Sequence, residues 1–185
     1  MGVVELAKSG VSTRRGSRRS DYIAPPMMRH ILVALTQPNR LAMITALQTG
    51  LRISDVLALR TEQVMRTARP TVRETKTGRT RRIYLSAELR QALLAQAGKI
   101  WIFEGRLDWR RHRTRQAVAK DLERARKLLR VPRDMVISPH SARKIYAATH
   151  RHGALAHRSP EVAALYECSR EITAAKLRGR RPDLI

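Results

Sequence analysis

Two residue types that bind phosphate stand close together near position 140. The segment Ser138 to Lys144 (SPHSARK) contains His140 and Arg143, three positions apart. If Pro139 begins a helix, as proline often does in a first turn, this spacing places both side chains on one face. A guanidinium binds two phosphate oxygens at once, and an imidazole binds a third oxygen or moves a proton. The pair therefore indicates a site for a phosphate group.

Four further residues have side chains suited to phosphodiester chemistry. Arg52 lies at a predicted corner between two helices, Lys76 lies in a predicted hairpin, and His157 and Tyr166 follow later in the chain. Two arginines, two histidines, a lysine and a tyrosine would form a site for moving a phosphodiester onto a tyrosine. Asp55, three residues after Arg52, is interpreted either as a partner that holds the Arg52 guanidinium or as half of an ordinary surface pair.

The composition describes a folded and strongly basic protein. The 185 residues suit one domain, and 43% hydrophobic residues are enough to bury a core. Lys and Arg number 38 against 15 Asp and Glu, a net charge of +23, for which nucleic acid is the usual partner. Only 4% of residues are aromatic, so recognition by stacking on unpaired bases is not favoured. Cys168 is the single cysteine, which excludes an internal disulfide and suggests no zinc cluster.

Residue periodicity predicts helices around a small sheet. Three short strands are predicted at residues 62–66, 71–75 and 81–85, with a turn between the last two in which Gly78 adopts positive φ. The turn and its flanks are densely basic, which suits contact with a phosphate backbone, although a solvated loop has the same composition. A second basic run follows near residue 110. The predicted DNA-binding residues are Arg73, Arg79, Arg81, Arg82, Arg110, Arg111 and Arg113.

Helix ends are predicted from capping signals. Pro25 begins a helix, Gly50 ends the next, and Ser86 and Thr114 occupy N-cap positions of two later helices. Pro139 begins the helix that carries the phosphate-binding pair. No apolar run is long enough to span a membrane, and the N-terminus has no apolar signal core, so a soluble intracellular protein is expected.

Together these segments resemble the tyrosine recombinases, the phage-integrase family. Each matching motif alone is weak, whereas four in this order, with a hairpin between the first two, are specific. The resemblance covers about residues 25–170. The motifs are Thr49 to Asp55 (TGLRISD), Thr75 to Gly78 (TKTG) with Arg82 to Leu85 (RIYL), Pro139 to Arg143 (PHSAR), and Ala156 to Ser159 (AHRS) with Tyr166 nine residues after His157.

The resemblance implies an α+β fold: a mostly helical catalytic domain with a small three-stranded antiparallel sheet. This domain would span residues 25–177, between basic tails at residues 1–24 and 178–185. It also implies that Arg52 and Arg143 clamp the scissile phosphate. His140 and His157 would bind its other oxygens or help to manage protons.

The implied reaction is site-specific DNA recombination. Lys76 would protonate the departing 5′ oxygen, and Tyr166 would be the nucleophile that forms a 3′-phosphotyrosyl bond. This bond keeps the phosphodiester energy, so no metal or other cofactor is expected. The expected partners are double-stranded DNA and further copies of the chain, four protomers on two duplexes. A bacterial or phage-type protein of the cytoplasm, associated with the nucleoid, is implied.

Other functions stay open because the sequence departs from the family pattern. Few residues precede the predicted domain, where family members normally carry a separate helical domain that clamps DNA. The path from Arg143 to His157 is shorter than usual by about two helical turns. Lys144 also stands where the family often has histidine. One alternative is a truncated relative that binds DNA without cutting it; charge alone would also allow an RNA-binding domain.

Overall fold

The structure is a computed structural model, and residues 20–149 are described. Within this range, no helix is long and apolar enough to cross a bilayer. The elements in chain order are α1 (Pro25–Ala34), α2 (Gln37–Thr49), α3 (Ile53–Leu57), α4 (Thr61–Arg66), β1 (Thr71–Arg73), β2 (Thr80–Arg82), α5 (Ala87–Ala95), α6 (Arg115–Leu128) and α7 (Pro139–Thr149).

Helix α2 is the centre of the fold. It packs most extensively against α7 and also contacts α1, α3, α5 and α6. Met43 and Ala46 are fully buried, and so is the hydroxyl-bearing Thr45. The hydroxyls of Thr45 and Thr49 donate hydrogen bonds to carbonyl oxygens one turn earlier, at 2.8 and 2.6 Å. Because these bonds satisfy the polar groups inside the helix, α2 can be buried on several sides.

The buried side chains form one hydrophobic cluster that joins every helix layer to the hairpin. Its members come from loops as well as from helices, which fixes the connecting segments in place. The largest fully buried side chains are Ile23, Met28, Ile31, Met43, Leu51, Leu57, Leu59, Leu85, Leu93, Ile102, Phe103 and Leu122.

Packing begins slightly ahead of the predicted domain start at residue 25. Ile23 is fully buried. The N–H of Asp21 donates to the carbonyl oxygen of Val136 at 2.8 Å, and its carboxylate accepts from the N–H of Val136 at 2.9 Å. These bonds tie the chain before α1 to the segment before α7. The predicted basic tail stays a prediction for residues 1–19, which lie outside the described residues.

The capping predictions are confirmed. The side chain of Ser86 accepts from the N–H of Leu89 at 3.3 Å at the start of α5, and that of Thr114 accepts from the N–H of Ala117 at 3.2 Å at the start of α6. Pro139 is the first residue of α7. Local sequence signals therefore located these helix starts correctly.

The sheet is smaller than predicted. Residues 62–66, one of the three predicted strands, belong to helix α4. Glu62 pairs with Arg66 one turn later, and the side chain of Gln63 accepts from the N–H of Arg60 at 3.0 Å. Glu, Gln, Met and Arg are good helix formers, and these two interactions favour a helix over an extended chain. Within residues 20–149 the sheet has two antiparallel strands, β1 and β2, rather than three.

A buried carboxylate joins α6 to the start of α2. Asp121 is 8% exposed. One of its oxygens accepts from the N–H and hydroxyl of Thr36 and from Asn39 Nδ2, at 2.7 to 2.9 Å, and the other accepts from Arg124 Nε at 2.9 Å. Burial acts to raise the pKa of Asp121, but these hydrogen bonds outweigh it and lower the pKa to about 2.

Replacing this carboxylate will destabilise the fold in a pH-dependent way. Because the folded-state pKa is below the ordinary value of 3.8, the stabilisation is present above that pH and is lost as the pH falls toward about 2. Asp121→Asn should lower the free energy of unfolding by about 2 kcal/mol at pH 7, measured by urea denaturation. The difference from the native sequence should shrink below pH 4.

Glu123→Gln is the matched control for this prediction. Glu123 also pairs with an arginine three residues later, Arg126, but its side chain is 48% exposed. We expect a loss below about 1 kcal/mol, as is usual for surface pairs. Equal losses in the two variants would show that burial of Asp121 adds nothing.

Candidate active site

The C-terminal end of α2 binds arginines from two other elements. Gly50 ends the helix in the left-handed conformation, with φ 65°. Its carbonyl oxygen accepts from Arg143 Nη1 of α7 at 2.7 Å, and the carbonyl of Thr49 accepts from Arg81 Nη2 of β2. Cations are favoured here because the last carbonyls of a helix lack partners within it and carry the negative end of its dipole.

Arg52 projects from the corner that follows. It is the N-cap residue of α3, its side chain is 20% exposed, and its Nη1 lies 2.6 Å from Glu74 Oε2. Both predictions for Asp55 are wrong: it does not pair with Arg52, and it is not on the surface. Asp55 is 1% exposed and accepts from the N–H of Thr75 at 2.9 Å. Since the backbone of Arg52 is still extended, the three-residue spacing does not yet place the two side chains on one helix face.

Glu74 is the acid at the centre of this arrangement. It continues strand β1 two residues after the buried Val72, so strand alternation directs both side chains inward. The Oε2 atom that binds Arg52 also accepts from Thr77 Oγ1 at 2.9 Å. The other carboxylate oxygen lies 3.8 Å from Arg81 Nη1. A single carboxylate, 6% exposed, thus faces two arginines and a hydroxyl.

The electrostatics keep Glu74 ionised. Burial acts to raise its pKa, but the hydrogen bonds from Arg52 and Thr77 and the charges of Arg52 and Arg143 hold the pKa below its ordinary value. Arg143 of α7 binds the carbonyl next to the one that Arg81 binds, so it lies at the same helix end and adds positive charge near Glu74.

His140 lies beside these arginines at the start of α7. Its pKa is lowered by partial desolvation of the ring and then by the charges of Arg143, Arg52, Arg115 and Lys144. His140 lies three residues before Arg143 on α7, and Arg143 binds the carbonyl of Gly50, two residues before Arg52, so these three candidate residues lie near the same corner. The low pKa favours a neutral imidazole at pH 7, which can accept a proton as well as donate one.

Lys76 is exposed at the tip of the hairpin. Its turn is closed by hydrogen bonds from the N–H of Glu74 to the carbonyl of Arg79 and from the N–H of Gly78 to the carbonyl of Glu74, both 2.8 Å. Gly78 has φ 66°, as predicted. Lys76 has no hydrogen bond or ion pair with the part of the chain that the structure describes. Its turn is nevertheless attached to the Arg52 corner through Glu74 and through the bond from Thr75 to Asp55.

The arginines predicted to bind DNA divide into two groups. Two are held inside the fold: Arg81 bonds the carbonyl of Thr49 and stacks on Tyr146, and Arg113 Nε donates to Asn39 at 2.6 Å. The other five are exposed, and their role in DNA binding stays a prediction. The exposed group is Arg73, Arg79, Arg82, Arg110 and Arg111.

Two predicted catalytic residues, His157 and Tyr166, lie outside the described residues. Two others in the site were missed by the sequence analysis. Glu74 could have been found from its inward register beside Val72 and from being the lone acid of a basic hairpin. Arg115 had no such signal, because only the packing of α6 against α7 places it near His140.

The comparisons with known proteins agree with this fold. The sequence matches the model of the Phage integrase family over residues 22–160, more than half of the chain, and the chain therefore belongs to this family. A comparison with curated proteins finds no match.

Three solved structures illustrate the shared fold. A lambda integrase dimer bound to a COC′ core site is 20% identical, with a TM-score of 0.68 over 92% of this chain and 64% of that one. XerH recombinase bound to difH substrate is 18% identical, with a TM-score of 0.62 over 84% and 52%. The catalytic domain of bacteriophage HP1 integrase is 18% identical, with a TM-score of 0.58 over 89% and 97%. The chain thus spans less than two thirds of the lambda integrase chain that it matches.

Two glycines with the same backbone conformation allow the packing at the α2 corner to be tested. A Cβ on Gly50 would lie 2.3 to 2.8 Å from the ring of Tyr146, whereas a Cβ on Gly78 would meet nothing within 4 Å. Gly78→Ala should cost about 1 kcal/mol from the left-handed backbone alone. Gly50→Ala should cost about 2 kcal/mol more because the ring must move. Chemical denaturation of both variants measures the difference, and equal losses would contradict the close packing.

The lowered pKa of His140 predicts a loss of stability in mild acid. The unfolded chain binds a proton on this imidazole near pH 6.5, while the folded chain resists protonation until a lower pH. The free energy of unfolding should therefore fall as the pH drops below about 6.5. His140→Gln should flatten this dependence, measured by denaturation between pH 7.5 and pH 5. The same change at exposed His30 is the control, and an unchanged slope in His140→Gln would contradict the prediction.

Proposed function

We propose that the chain is the catalytic domain of a site-specific DNA recombinase that cleaves and rejoins DNA through a 3′-phosphotyrosyl intermediate. The observation that carries this proposal is geometric: Arg143 of α7 binds the carbonyl of Gly50 at the end of α2, two residues before Arg52, and His140 lies three residues before Arg143 on α7. A phosphodiester in this position would meet the guanidinium of Arg52 from the start of α3, and the imidazole of His140 and the guanidinium of Arg143 from α7. The domain would extend over residues 25–177.

The arginines would bind and polarise the scissile phosphate. Each guanidinium can donate two hydrogen bonds to phosphate oxygens, and fixed positive charge stabilises the extra negative charge of the transition state. The neutral imidazole of His140, together with His157, would bind a further oxygen or move a proton. Packing against the end of α2 keeps Arg143 in place before DNA arrives, which lowers the reorganisation needed during reaction.

The covalent step would exchange one ester bond for another. The hydroxyl oxygen of Tyr166 attacks the phosphorus, its proton passes to a nearby base, and the bond from phosphorus to the 5′ oxygen breaks. Lys76 gives a proton to that departing oxygen. A 5′-hydroxyl of another strand then attacks the phosphotyrosine and releases Tyr166. The number of ester bonds is unchanged, so the reaction needs no nucleotide or redox partner.

The proposed partners are double-stranded DNA and further copies of the chain, with four protomers on two duplexes. Solvent-exposed arginines on the hairpin and near residue 110 would contact the DNA backbone. The net charge of +23 is the observation that favours a second candidate function, DNA binding without cleavage. Such binding would weaken steeply with salt, since each neutralised phosphate releases counterions.

A covalent adduct would separate these two functions. The full chain is incubated with a pool of short duplexes that carry a randomised core and a nick, so that a cleaved strand dissociates and traps the enzyme. We expect a protein–DNA adduct that resists denaturant, is absent in Tyr166→Phe, and decreases about a hundredfold or more in Arg52→Ala. Arg66→Ala, at an exposed arginine paired with Glu62, removes the same charge and should leave the adduct unchanged.

Each outcome assigns a function. An adduct that persists in Tyr166→Phe would exclude Tyr166 as the nucleophile. Salt-sensitive duplex binding without any adduct would favour the binding protein over the recombinase. A preference for RNA over duplex DNA at equal salt would contradict both.

A further inference from the structure

We propose that Glu74 is a positioning residue that fixes Arg52 and the turn carrying Lys76 as one unit. The inference rests on the proposed function, because it concerns how a phosphate-binding arginine and a proton donor reach the same substrate. Glu74 would not touch DNA itself. It would act through the two groups that do.

One carboxylate oxygen provides the link. Oε2 of Glu74 accepts from Arg52 Nη1 at 2.6 Å and from Thr77 Oγ1 at 2.9 Å. Thr77 directly follows Lys76 in the turn. The position of the Arg52 guanidinium is therefore coupled through Glu74 Oε2 to the position of Thr77, the residue next to Lys76.

A second bond attaches the other side of the turn. The N–H of Thr75 donates to the buried carboxylate of Asp55, which belongs to α3 with Arg52 at its N-cap. The residues on both sides of Lys76 are thus attached to the Arg52 corner. Asp55 of α3 accepts a hydrogen bond from the hairpin, and Glu74 of the hairpin accepts one from Arg52 at the start of α3. The corner and the turn are therefore attached to each other in both directions.

The geometry suits positioning rather than blocking of Arg52. A guanidinium has five N–H donors, and Glu74 binds one nitrogen of the three. Arg52 keeps 20% of its side chain exposed, and among the described residues its guanidinium makes no hydrogen bond other than the one to Glu74. The remaining donors are available to a phosphate, while the bond to Glu74 selects one orientation of the planar group.

The charge of Glu74 also counters repulsion within the site. Arg81 lies 3.8 Å from its second oxygen, and Arg143 contributes to its electrostatic environment. Without this carboxylate, Arg52 would face two like charges and would turn toward solvent. Burial of an acid is costly unless it is fully bonded, which explains why Glu74 is surrounded by donors.

Two variants separate the two parts of the link. Thr77→Val removes the hydrogen bond from the Thr77 hydroxyl to Glu74, together with the long 3.4 Å bond that this hydroxyl accepts from the N–H of Arg79, and leaves the Arg52–Glu74 pair intact. Glu74→Gln removes the negative charge that binds both the Arg52 guanidinium and the Thr77 hydroxyl. Glu62→Gln, at an exposed acid paired with Arg66, is the matched control. The readouts are single-turnover adduct formation on a duplex selected with the native chain, and the Kd for that duplex.

A sulfur leaving group identifies the contribution of Lys76. Because a 5′-bridging sulfur departs without taking a proton, it removes the need for a proton donor. Thr77→Val should form adduct about tenfold more slowly on the ordinary duplex and within threefold of the native rate on the sulfur duplex. Glu74→Gln should form adduct about a hundredfold more slowly than the native chain on the ordinary duplex, and the sulfur duplex should restore only part of this rate, because the Arg52 guanidinium is also misplaced. Both variants should keep Kd within threefold.

The proposal is overturned if Thr77→Val and Glu74→Gln react within twofold of the native chain, if sulfur restores neither, or if the whole loss appears in Kd. A physical readout separates this failure from failure of the proposed function. Arg52→Ala should speed amide hydrogen exchange in the turn at residues 74–79 about tenfold, whereas Arg66→Ala should not. Unchanged exchange in Arg52→Ala overturns the proposal. If amide exchange in the turn is faster in Arg52→Ala but the native chain forms no adduct, the link through Glu74 is supported and the proposed recombinase function is contradicted.

Discussion

The site depends on holding three arginines together against their mutual repulsion. Neighbouring unit charges of the same sign repel by roughly 2 to 4 kcal/mol at an effective dielectric constant of about 20, so a cluster of arginines needs a counter-charge. Here the carbonyls of Thr49 and Gly50 bind Arg81 and Arg143, and the carboxylate of Glu74 binds Arg52. The same features leave the cluster strongly positive, and a phosphate would complete its neutralisation.

The fold is arranged so that one helix end supplies this geometry. Helix α2 is buried at the centre and packs against α7, so its C-terminal carbonyls point at a fixed place beside the PHSAR motif. The left-handed Gly50 then turns the chain abruptly into Arg52. Its lack of a side chain lets Tyr146 pack against the corner, which links α2 to α7 at the site itself. At the other end of α2, the Asp121 network joins α6 to the same helix.

Local signals were enough to locate most of the helices and the β1–β2 hairpin. Caps at Ser86 and Thr114 and the proline at the start of α7 depend on bonds within a few residues, which a sequence displays directly. The prediction failed where a short segment suits two structures. Residues 62–66 form helix α4, because the Glu62–Arg66 pair and the bond between Arg60 and Gln63 favour a turn over an extended strand.

The sequence by itself determined the family and the basic character, and it singled out Arg52, Lys76, His140 and Arg143 as candidates for binding phosphate, since these follow from motifs and composition. Only the tertiary structure decided which acid holds Arg52. The sequence favoured Asp55, which is close along the chain, whereas Glu74 lies 22 positions away and reaches Arg52 through the register of the hairpin. Where a strand packs against a helix, residues far apart in the sequence become neighbours in space. The ion-pair partner of a side chain is then determined by packing and not by spacing along the chain.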